Sequence, residues 1–383
     1  MERLAEVAAL FLRLGLTAFG GPAAHVALIE RECVARRQWI TRDAFLNLLG
    51  VANLIPGPTS TELAMHVGRQ RAGWPGLVVA GLAFIVPGAV MVGLLAAFYQ
   101  QSGPLPLTRG VFAMVQPVVI VLILGALVPL ARGAIRSLPM VMTAVAVALL
   151  AWAGIPEVRI LLLAGVAQVI VGRVVGRVVG YIGLAVVVLA ALAVPVAYAA
   201  AGTTAPYVGA VSTFDIGAYF LRIGSVLFGS GYVLLPVLEG DLVHRLGWLT
   251  QTQLLDAIAA GQATPGPVFT TATFIGYLLG GTRAAIVATL AMFLPAFIFA
   301  GLSSAMLDRL ARSPTAARFL QGVNAAAVAL IGVVLVRLGV LALTGPMPIA
   351  VALLAAAAIH LGGVNSSLVL LGAAILGAGF GLS

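Results

Sequence analysis

The chain is poor in charge. Only 9% of its 383 residues are charged and 62% are hydrophobic, with a mean hydropathy of +1.14; a soluble domain is typically ~25% charged. So few charges cannot solvate the surface of a soluble body this large, so most of the outside faces lipid. Cysteine is almost absent. Cys33 stands alone, which excludes an intrachain disulfide, and it has no Cys or His neighbour at metal-ligand spacing. The histidines His25, His66, His244 and His360 are scattered. No Gly-x-x-x-x-Gly-Lys-Ser/Thr run occurs, which argues against direct nucleotide drive, and there is no His-Glu-x-x-His or paired-aspartate motif. No cofactor and no metal are expected.

The charge that is present is mostly positive, at +9 with a pI near 10.7. In a soluble chain that balance would raise the question of nucleic acid. Here the basic residues are arginines between apolar runs, as in Arg36-Arg37, Arg69 with Arg71, and Arg173 with Arg177. That is the pattern of short cytoplasmic loops, and a basic interior that attracts an anion is compatible with it. The expected partners are the lipid bilayer and a small anion, without nucleic acid; a homodimer stays open. Met1-Glu2-Arg3-Leu4 runs straight into an apolar segment, which reads as a first span and not as a removable signal peptide.

The sequence is a duplication. Phe11-Leu12-Arg13-Leu14-Gly15 lies over Phe220-Leu221-Arg222-Ile223-Gly224, and the register continues without a gap. Phe19-Gly20 meets Phe228-Gly229, Glu30 meets Glu239, Glu32 meets Asp241, Arg36 meets Arg245, Trp39 meets Trp248 and Thr41 meets Thr250. Pro56-Gly57-Pro58 then falls on Pro265-Gly266-Pro267, and Thr61 on Thr270. Roughly 15 of about 51 positions are identical at one constant offset, which is beyond chance.

The expected fold is an all-α polytopic membrane protein of two homologous repeats, residues 1–175 and 211–383, around an unpaired central helix and linker at 176–210. Apolar spans are expected at about Leu4–Pro22, Ala44–His66, Trp74–Tyr99, Gly110–Leu130, Leu138–Ala153 and Pro156–Val171. They recur at Phe214–Pro236, Gln253–Tyr277, Arg283–Leu307, Phe319–Val340, Pro346–His360 and Val364–Leu382, with Val178–Ala201 unpaired between the sets. Six crossings and a seventh would insert the second repeat upside down. Charge agrees: the loop around Arg309, Arg312 and Arg318 is basic, whereas its counterpart Gln100–Thr108 has only Arg109 at its edge. The loops at Arg69/Arg71, Arg132/Arg136 and Arg173/Arg177 then lie on the cytoplasmic side with the amino terminus. Should Ala44–His66 and its twin re-enter instead of crossing, the parity argument would fail and the repeats would run parallel.

Each repeat breaks an apolar segment with Pro-Gly-Pro: Asn53-Leu54-Ile55-Pro56-Gly57-Pro58-Thr59-Ser60-Thr61-Glu62, and Gln262-Ala263-Thr264-Pro265-Gly266-Pro267-Val268-Phe269-Thr270-Thr271. Neither pair of prolines fits inside a regular helix; Pro58 and Pro267 suit the first position of a new one. Unwound backbone at membrane depth belongs inside protein or against a polar cavity. There the restarting helix turns its free N–H groups and positive dipole end to the break. Thr59, Ser60, Thr61, Thr270 and Thr271 add hydroxyls. A pair of such breaks at matched places marks a transport site, here a cradle for a small anion.

Arg13 and Arg222 share one place in the two first spans. A charge near the bilayer centre costs on the order of 3 kcal/mol even on a mild scale, so it should face the interior, and a guanidinium fork suits an oxyanion. The first spans end in Phe19-Gly20-Gly21-Pro22 with His25, and in Phe228-Gly229-Ser230-Gly231-Tyr232, where bare backbone can approach a ligand or a crossing helix. The matched Glu30 and Glu239, and Glu32 and Asp241, read as ion-pair partners of nearby arginines. Glu62, whose twin is Thr271, is a candidate proton carrier, alternatively an ion-pair partner of Arg69 or Arg71; His25 and Glu30 are further candidates for proton coupling.

These motifs, Phe19-Gly20-Gly21-Pro22 with His25 and Glu30-Arg31, Asn53 to Thr59, Phe228 to Tyr232 with Pro236, and Gly261-Gln262-Ala263-Thr264-Pro265-Gly266-Pro267, resemble the paired signatures of the chromate ion transporter family in its long, fused two-domain form. The resemblance covers essentially the whole chain. It implies chromate export from the cytoplasm, with sulfate, a tetrahedral dianion of similar size, as competitor, and it places transport residues in the glycine-rich and Pro-Gly-Pro motifs. It also implies the bacterial inner membrane. From the residues alone, an anion channel, a sulfate-type oxyanion transporter and, more remotely, an intramembrane enzyme stay open. The enzyme needs a nucleophile with its base, and Ser60 and His66 are at the wrong spacing for one helical face.

Overall fold

A computed structural model of the chain describes residues 2–53, 55–102, 106–173, 210–227, 231–311 and 313–381. Its elements are helical, as a bilayer without hydrogen-bonding solvent requires. The first repeat contains α1 (Glu2–Thr17), α2 (Gly21–Glu30) running into a π-helical turn (Arg31–Arg36), α3 (Arg42–Ala52), α4 (Thr59–Ser102), α5 (Pro106–Ala134), α6 (Leu138–Trp152) and α7 (Glu157–Arg173). The second contains α8 (Thr213–Val226), a 3-10 turn (Gly231–Val233) leading into α9 (Leu234–Leu238), and a π-helical turn (Glu239–Arg245). It continues with α10 (Gln251–Ala263), a 3-10 turn (Val268–Thr270), α11 (Thr271–Ala311), α12 (Pro314–Ala342), α13 (Pro346–His360) and α14 (Ser366–Gly381). The unpaired run Val178–Ala201 lies outside the described residues.

The duplication is visible in the local devices as well as the order. Thr41 caps α3 by accepting the Ala44 N–H at 3.2 Å. Its twin Thr250 forms a full capping box with Gln253 on α10, so the shared threonine satisfies donors that a helix start leaves unpaired.

α4 and α11 are each a hairpin of two limbs. The backbone leaves the helical region at Ala72 and Gly73 (φ 67°, ψ −154°), and again at Gly280 and Gly281 (φ 67°, ψ −160°). The limbs fold back so closely that a side chain on Gly68 would strike the Gly76 carbonyl. Gly276 stands in the same way against the carbonyl of Ala284. These matched pairs lie one residue closer in register than the Pro-Gly-Pro motifs do. The slip falls where limb 59–71 starts as α-helix but its twin starts with the Val268–Thr270 3-10 turn.

Contacts at the hairpin ends correct four of the expected spans. Arg71, at the end of limb 59–71, pairs with Glu6 on the first turns of α1 at 2.6 Å. Its guanidinium also lies 5.3 Å over the ring of Trp39, just before α3 begins. The segment 42–71 therefore enters and leaves on one face, turning at Pro-Gly-Pro. α1 and α2 likewise run in and back: Arg13 of α1 meets Glu32 of the returning π-helical turn at 2.7 Å, and that turn leads to Trp39. The second repeat does the same, with Arg222 on Asp241 at 3.0 Å and Ile216 of α8 against Gly280 at the hairpin bend. Leu4–Pro22, Ala44–His66, Phe214–Pro236 and Gln253–Tyr277 are thus re-entrant hairpins and not crossings. An apolar run of the right length cannot by itself distinguish one pass from two half-passes around a glycine tip. Among the described residues, four helices are long and apolar enough to cross a membrane, within Thr59–Gln101, Gly110–Ala134, Val268–Leu302 and Pro314–Ala342.

The repeats are nevertheless inverted. The Trp74 ring lies against Gly301, the Phe297 ring covers Gly81, and Thr273 touches both Gly93 and the Thr289 hydroxyl (2.7 Å). Positions rising along limb 74–102 meet positions falling along limb 282–311, so the two crossing limbs are antiparallel. Six crossings per unit, the premise of the parity argument, does not hold; the orientation it led to does. Away from these contacts the two limbs expose Val78, Leu82, Val86, Val90 and Leu94, and Ile286, Leu290, Leu294, Ile298 and Leu302. Four-residue spacing sets each series on one stripe, the lipid face of a membrane helix.

Two outcomes test this architecture. In a Cys33→Ser background, a Trp74→Cys/Gly301→Cys pair is expected to be bridged by a short bifunctional thiol reagent, while Trp74→Cys/Thr282→Cys stays unbridged; parallel repeats would give the reverse. A side chain on Gly15 would lie 2.8 Å from the carbonyls of Ala83 and Phe84. Gly15→Leu is therefore expected to destabilise the protein by about 2–3 kcal/mol, seen as a lower unfolding temperature in detergent.

Candidate functional site

Three hairpin tips, at Gly20-Gly21, Pro56-Gly57-Pro58 and Pro265-Gly266-Pro267, meet in the interior with Leu227 and Gly231 of the second repeat's first hairpin. The N–H of Gly57 donates to the carbonyl of Leu227 at the end of α8 (2.8 Å), and the N–H of Gly266 donates to the carbonyl of Ala18 at the end of α1 (3.0 Å). Leu227 and Ala18 are counterparts, as are the two glycines, so each Pro-Gly-Pro turn is fastened to the first helix of the other repeat. Gly57 (φ +141°) and Gly266 (φ +101°) adopt backbone that a side chain would strain. Each also faces a crossing limb of the other repeat, Gly57 against Ala296 and Gly266 against Gly88.

The glycine patches close the remaining side. Gly20 is the left-handed N-cap of α2, with Pro22 in its first turn. The Tyr232 hydroxyl lies against Gly21, and Gly231 packs on Pro22, Val268 and Phe269. Gly229 and Ser230 lie outside the described residues. His25 directs Nε2 at the Ala18 carbonyl (3.1 Å), Nδ1 at Ser60 Oγ (3.5 Å), and its ring edge-on to Phe84. The histidine that faces Ser60 is thus His25 and not His66.

The breaks form as the prolines require. α3 ends at Ala52 with Asn53 as C-cap, and α4 starts at Thr59. Pro58 lies one position outside the helix; its carbonyl accepts the N–H groups of Thr61 (2.8 Å) and Glu62 (3.1 Å). Pro267 has the matching place, before the Val268–Thr270 turn. Asn53 Oδ1 accepts the Thr59 hydroxyl at 3.3 Å. In the second repeat the hydroxyls of Thr270 and Thr271 donate to the carbonyls of Pro267 and Val268, both at 2.8 Å. Those protons are committed to backbone, so the two turns are not chemical equals.

Unpaired polar atoms show where the chemistry concentrates. Among the described residues, the buried side-chain atoms without a hydrogen-bond partner are Thr61 Oγ1, both oxygens of Glu62, His66 Nε2, Gln262 Nε2, Tyr219 Oη and Ser367 Oγ. All but the last two belong to the segments flanking the Pro-Gly-Pro turns. Glu62 and Thr61 have no exposed surface. Buried polar groups are otherwise satisfied almost throughout folded proteins, so a cluster of exceptions needs a cause. It includes two donors, the Thr61 hydroxyl in the first turn of limb 59–71 and the Gln262 amide near the end of α10, and the positive end of limb 59–71 lies at the first of them.

Arg13 and Arg222 lie elsewhere. Arg13 shares the Glu32 carboxylate with Arg36 (2.6 Å) and Arg37 (3.4 Å), and Arg222 shares Asp241 with Arg245 (2.8 Å). Burial acts to raise the Glu32 carboxyl, but hydrogen bonds and charge from Arg36 and Arg13 outweigh it and hold it below the usual carboxylate range. Both arginine side chains are about half exposed, at 47% and 54%, on carboxylates at 8%. Each cluster keeps excess positive charge at the returning arm of a first hairpin, away from its tip. Glu30 pairs with Arg42 at the surface (3.5 Å), whereas its twin Glu239 is fully buried with Arg337, His244 and Gln251.

Sequence reading gave no site role to His66, Gly88 or Ala296. Gly88 and Ala296 each follow a proline inside a crossing limb, Pro87 and Pro295, and that matched Pro-small pair was the available signal.

The chain matches the family described as Chromate transporter twice, over residues 5–169 and 214–378, at the offset that carries Phe11 onto Phe220. It is similar to the chromate transport protein of Pseudomonas aeruginosa, 35% identical over 85% of this chain and 79% of the relative. For the chromate transport protein of Cupriavidus metallidurans the identity is 32% over 87% and 82%. For the probable chromate transport protein of Synechococcus elongatus it is 31% over 88% and 84%. No solved structure matches. Two copies of the family's unit, matched end to end and inserted in opposite senses, make this chain a member of the chromate transporter family.

Proposed function

We propose that the chain carries chromate across the bacterial inner membrane, out of the cytoplasm, binding it at the Pro-Gly-Pro turns. The observation that carries this reading is the cluster of buried, unpartnered polar atoms on the segments flanking those turns. The Thr61 hydroxyl and the Gln262 amide donate to the oxyanion, supported by the positive end of limb 59–71. Relatives named as chromate transport proteins support the choice of anion. None of these donors separates chromate from sulfate, which competes.

Transport proceeds by alternating access, the inverted repeats rocking about these turns. The cytoplasmic face is the one on which Arg69, Arg71, Arg132 and Arg136 lie with the amino terminus. An inside-negative potential favours outward movement of a dianion by ~4.6 kcal/mol per 100 mV. Arg13 and Arg222, held by carboxylates away from the tips, act through their field: they raise the local anion concentration without ligating the bound anion.

In inverted vesicles, wild-type protein is expected to take up radiolabelled chromate saturably, with competition by sulfate; uptake no greater than in empty vesicles would refute the assignment. Thr61→Val and Gln262→Leu each remove one donor to a charged ligand and are expected to weaken chromate binding roughly tenfold or more. Arg13→Gln/Arg222→Gln is expected to raise KM several-fold at low ionic strength, with the difference closing at high salt. If the double variant abolishes uptake at every salt concentration, the arginines are direct ligands instead.

A further inference from the structure

We infer that Glu62 is a built-in occupant of the anion site, whose carboxyl must carry a proton whenever an oxyanion is bound. The inference rests on the reading of the turns as the anion site. Its basis is geometric. Glu62 is completely buried, and neither of its oxygens has a hydrogen-bond partner. One oxygen lies directly beside the Cα of Gly57, in the space a side chain at that position would fill. The carboxylate therefore stands inside the turn, beside the unpartnered Thr61 hydroxyl and in the first turn of limb 59–71, where the helix end favours negative charge. A carboxyl group already stands in the place an anion would take, and where it is ionised it puts a negative charge there.

Among the described residues, no cation pairs with it. On α2, His25 has Nε2 on the Ala18 carbonyl and Nδ1 at Ser60. On its own limb, His66 is one turn further along with Nε2 unpartnered, and Arg69 beyond it donates to the Gly301 carbonyl at 2.9 Å. α11 presents Ala296 at the turn and α8 presents Leu227. A dianion and an ionised carboxylate cannot share so dry a site. Protonation resolves the conflict: a proton from water converts Glu62–COO⁻ to Glu62–COOH, which then turns an O–H towards the anion. His66 stands one turn on from Glu62 towards the Arg69–Arg71 end of the limb. The second repeat has neither carboxylate nor histidine over residues 268–279, so the count is one proton per anion.

Sulfate is the suitable probe, because it stays a dianion across the neutral range while chromate takes up a proton of its own. Purified protein in weakly buffered detergent solution, titrated with sulfate against a pH indicator at a series of rising pH values, is expected to take up about one proton per sulfate bound once Glu62 is ionised. Affinity should fall about tenfold for each unit rise in pH once Glu62 is ionised. Glu62→Gln is expected to bind sulfate without proton uptake and with an affinity indifferent to pH. Wild-type protein that binds sulfate with no proton uptake at any of these pH values overturns the inference and leaves the anion site standing, an outcome that needs no variant. Wild-type protein that binds neither sulfate nor chromate overturns both.

Discussion

Two backbone hydrogen bonds fix the interior: Gly57 to Leu227 and Gly266 to Ala18. Each joins a turn of one repeat to the end of the first helix of the other, and the pair is related by the duplication itself. A re-entrant tip leaves N–H and C=O groups without helical partners, and lipid offers none. Here the orphan donor of a Pro-Gly-Pro turn meets the orphan acceptor of a helix that stops short. Neither repeat can satisfy its own tips in this way, so neither is a complete structure alone. A two-fold axis lets two copies of one surface present donor and acceptor to each other reciprocally, and the antiparallel limbs 74–102 and 282–311 set that axis in the membrane plane.

The bilayer sets the remaining terms. Half-length helices cannot hold themselves in place, so they lean on the full-length limbs through residues too small to separate the backbones, as at Gly15 on Phe84 and Gly224 on Met292. The limbs then keep one stripe for lipid, the Val78 and Ile286 series, and one for the hairpins. Acidic groups that travel with the hairpins have partners where they are buried: Glu32 and Asp241 lie under clusters of arginine, Glu239 has Arg337 and His244, and Asp256 accepts from the Tyr99 hydroxyl and the Gln116 amide. Against that background of paired charge, an unpaired Glu62 is an exception.

Much of this was legible in the sequence, and what was not has physical causes. Repetition of Phe-Leu-Arg-Leu/Ile-Gly, Trp and Pro-Gly-Pro gave the two-unit plan, and proline chemistry located both breaks to within a residue. Apolar length could not tell a crossing from a hairpin with a glycine tip, because hydropathy records burial and not direction; the tip at Phe19-Gly20-Gly21 resembled a helix end until Arg13 was seen on Glu32. The arginines attracted attention for a sound reason, the cost of a lone charge in lipid, yet their neutralising carboxylates were the adjacent matched acids already read as ion-pair partners. The hydroxyls of Thr270 and Thr271 looked like their counterparts in composition. Only the tighter 3-10 start of the second turn reveals that they bond to their own backbone.

That last difference bears on how a duplicated carrier divides its labour. Two identical halves would offer an anion two identical cradles and move it symmetrically. Here the first repeat supplies His25, Ser60, Thr61, Glu62 and His66 around its turn, whereas the second has Leu234 in place of His25 and Val268, Phe269 and Phe274 within the restarting limb. Gln262 is the second repeat's unpartnered contribution. The polar chemistry has gathered on one turn while the other became packing, with Phe269 fully buried against Phe293. Because the two turns remain tied through the crossed bonds of Gly57 and Gly266, a change of charge at one is mechanically available to both. Symmetry in this molecule therefore belongs to the scaffold, and asymmetry to the polar groups at its turns.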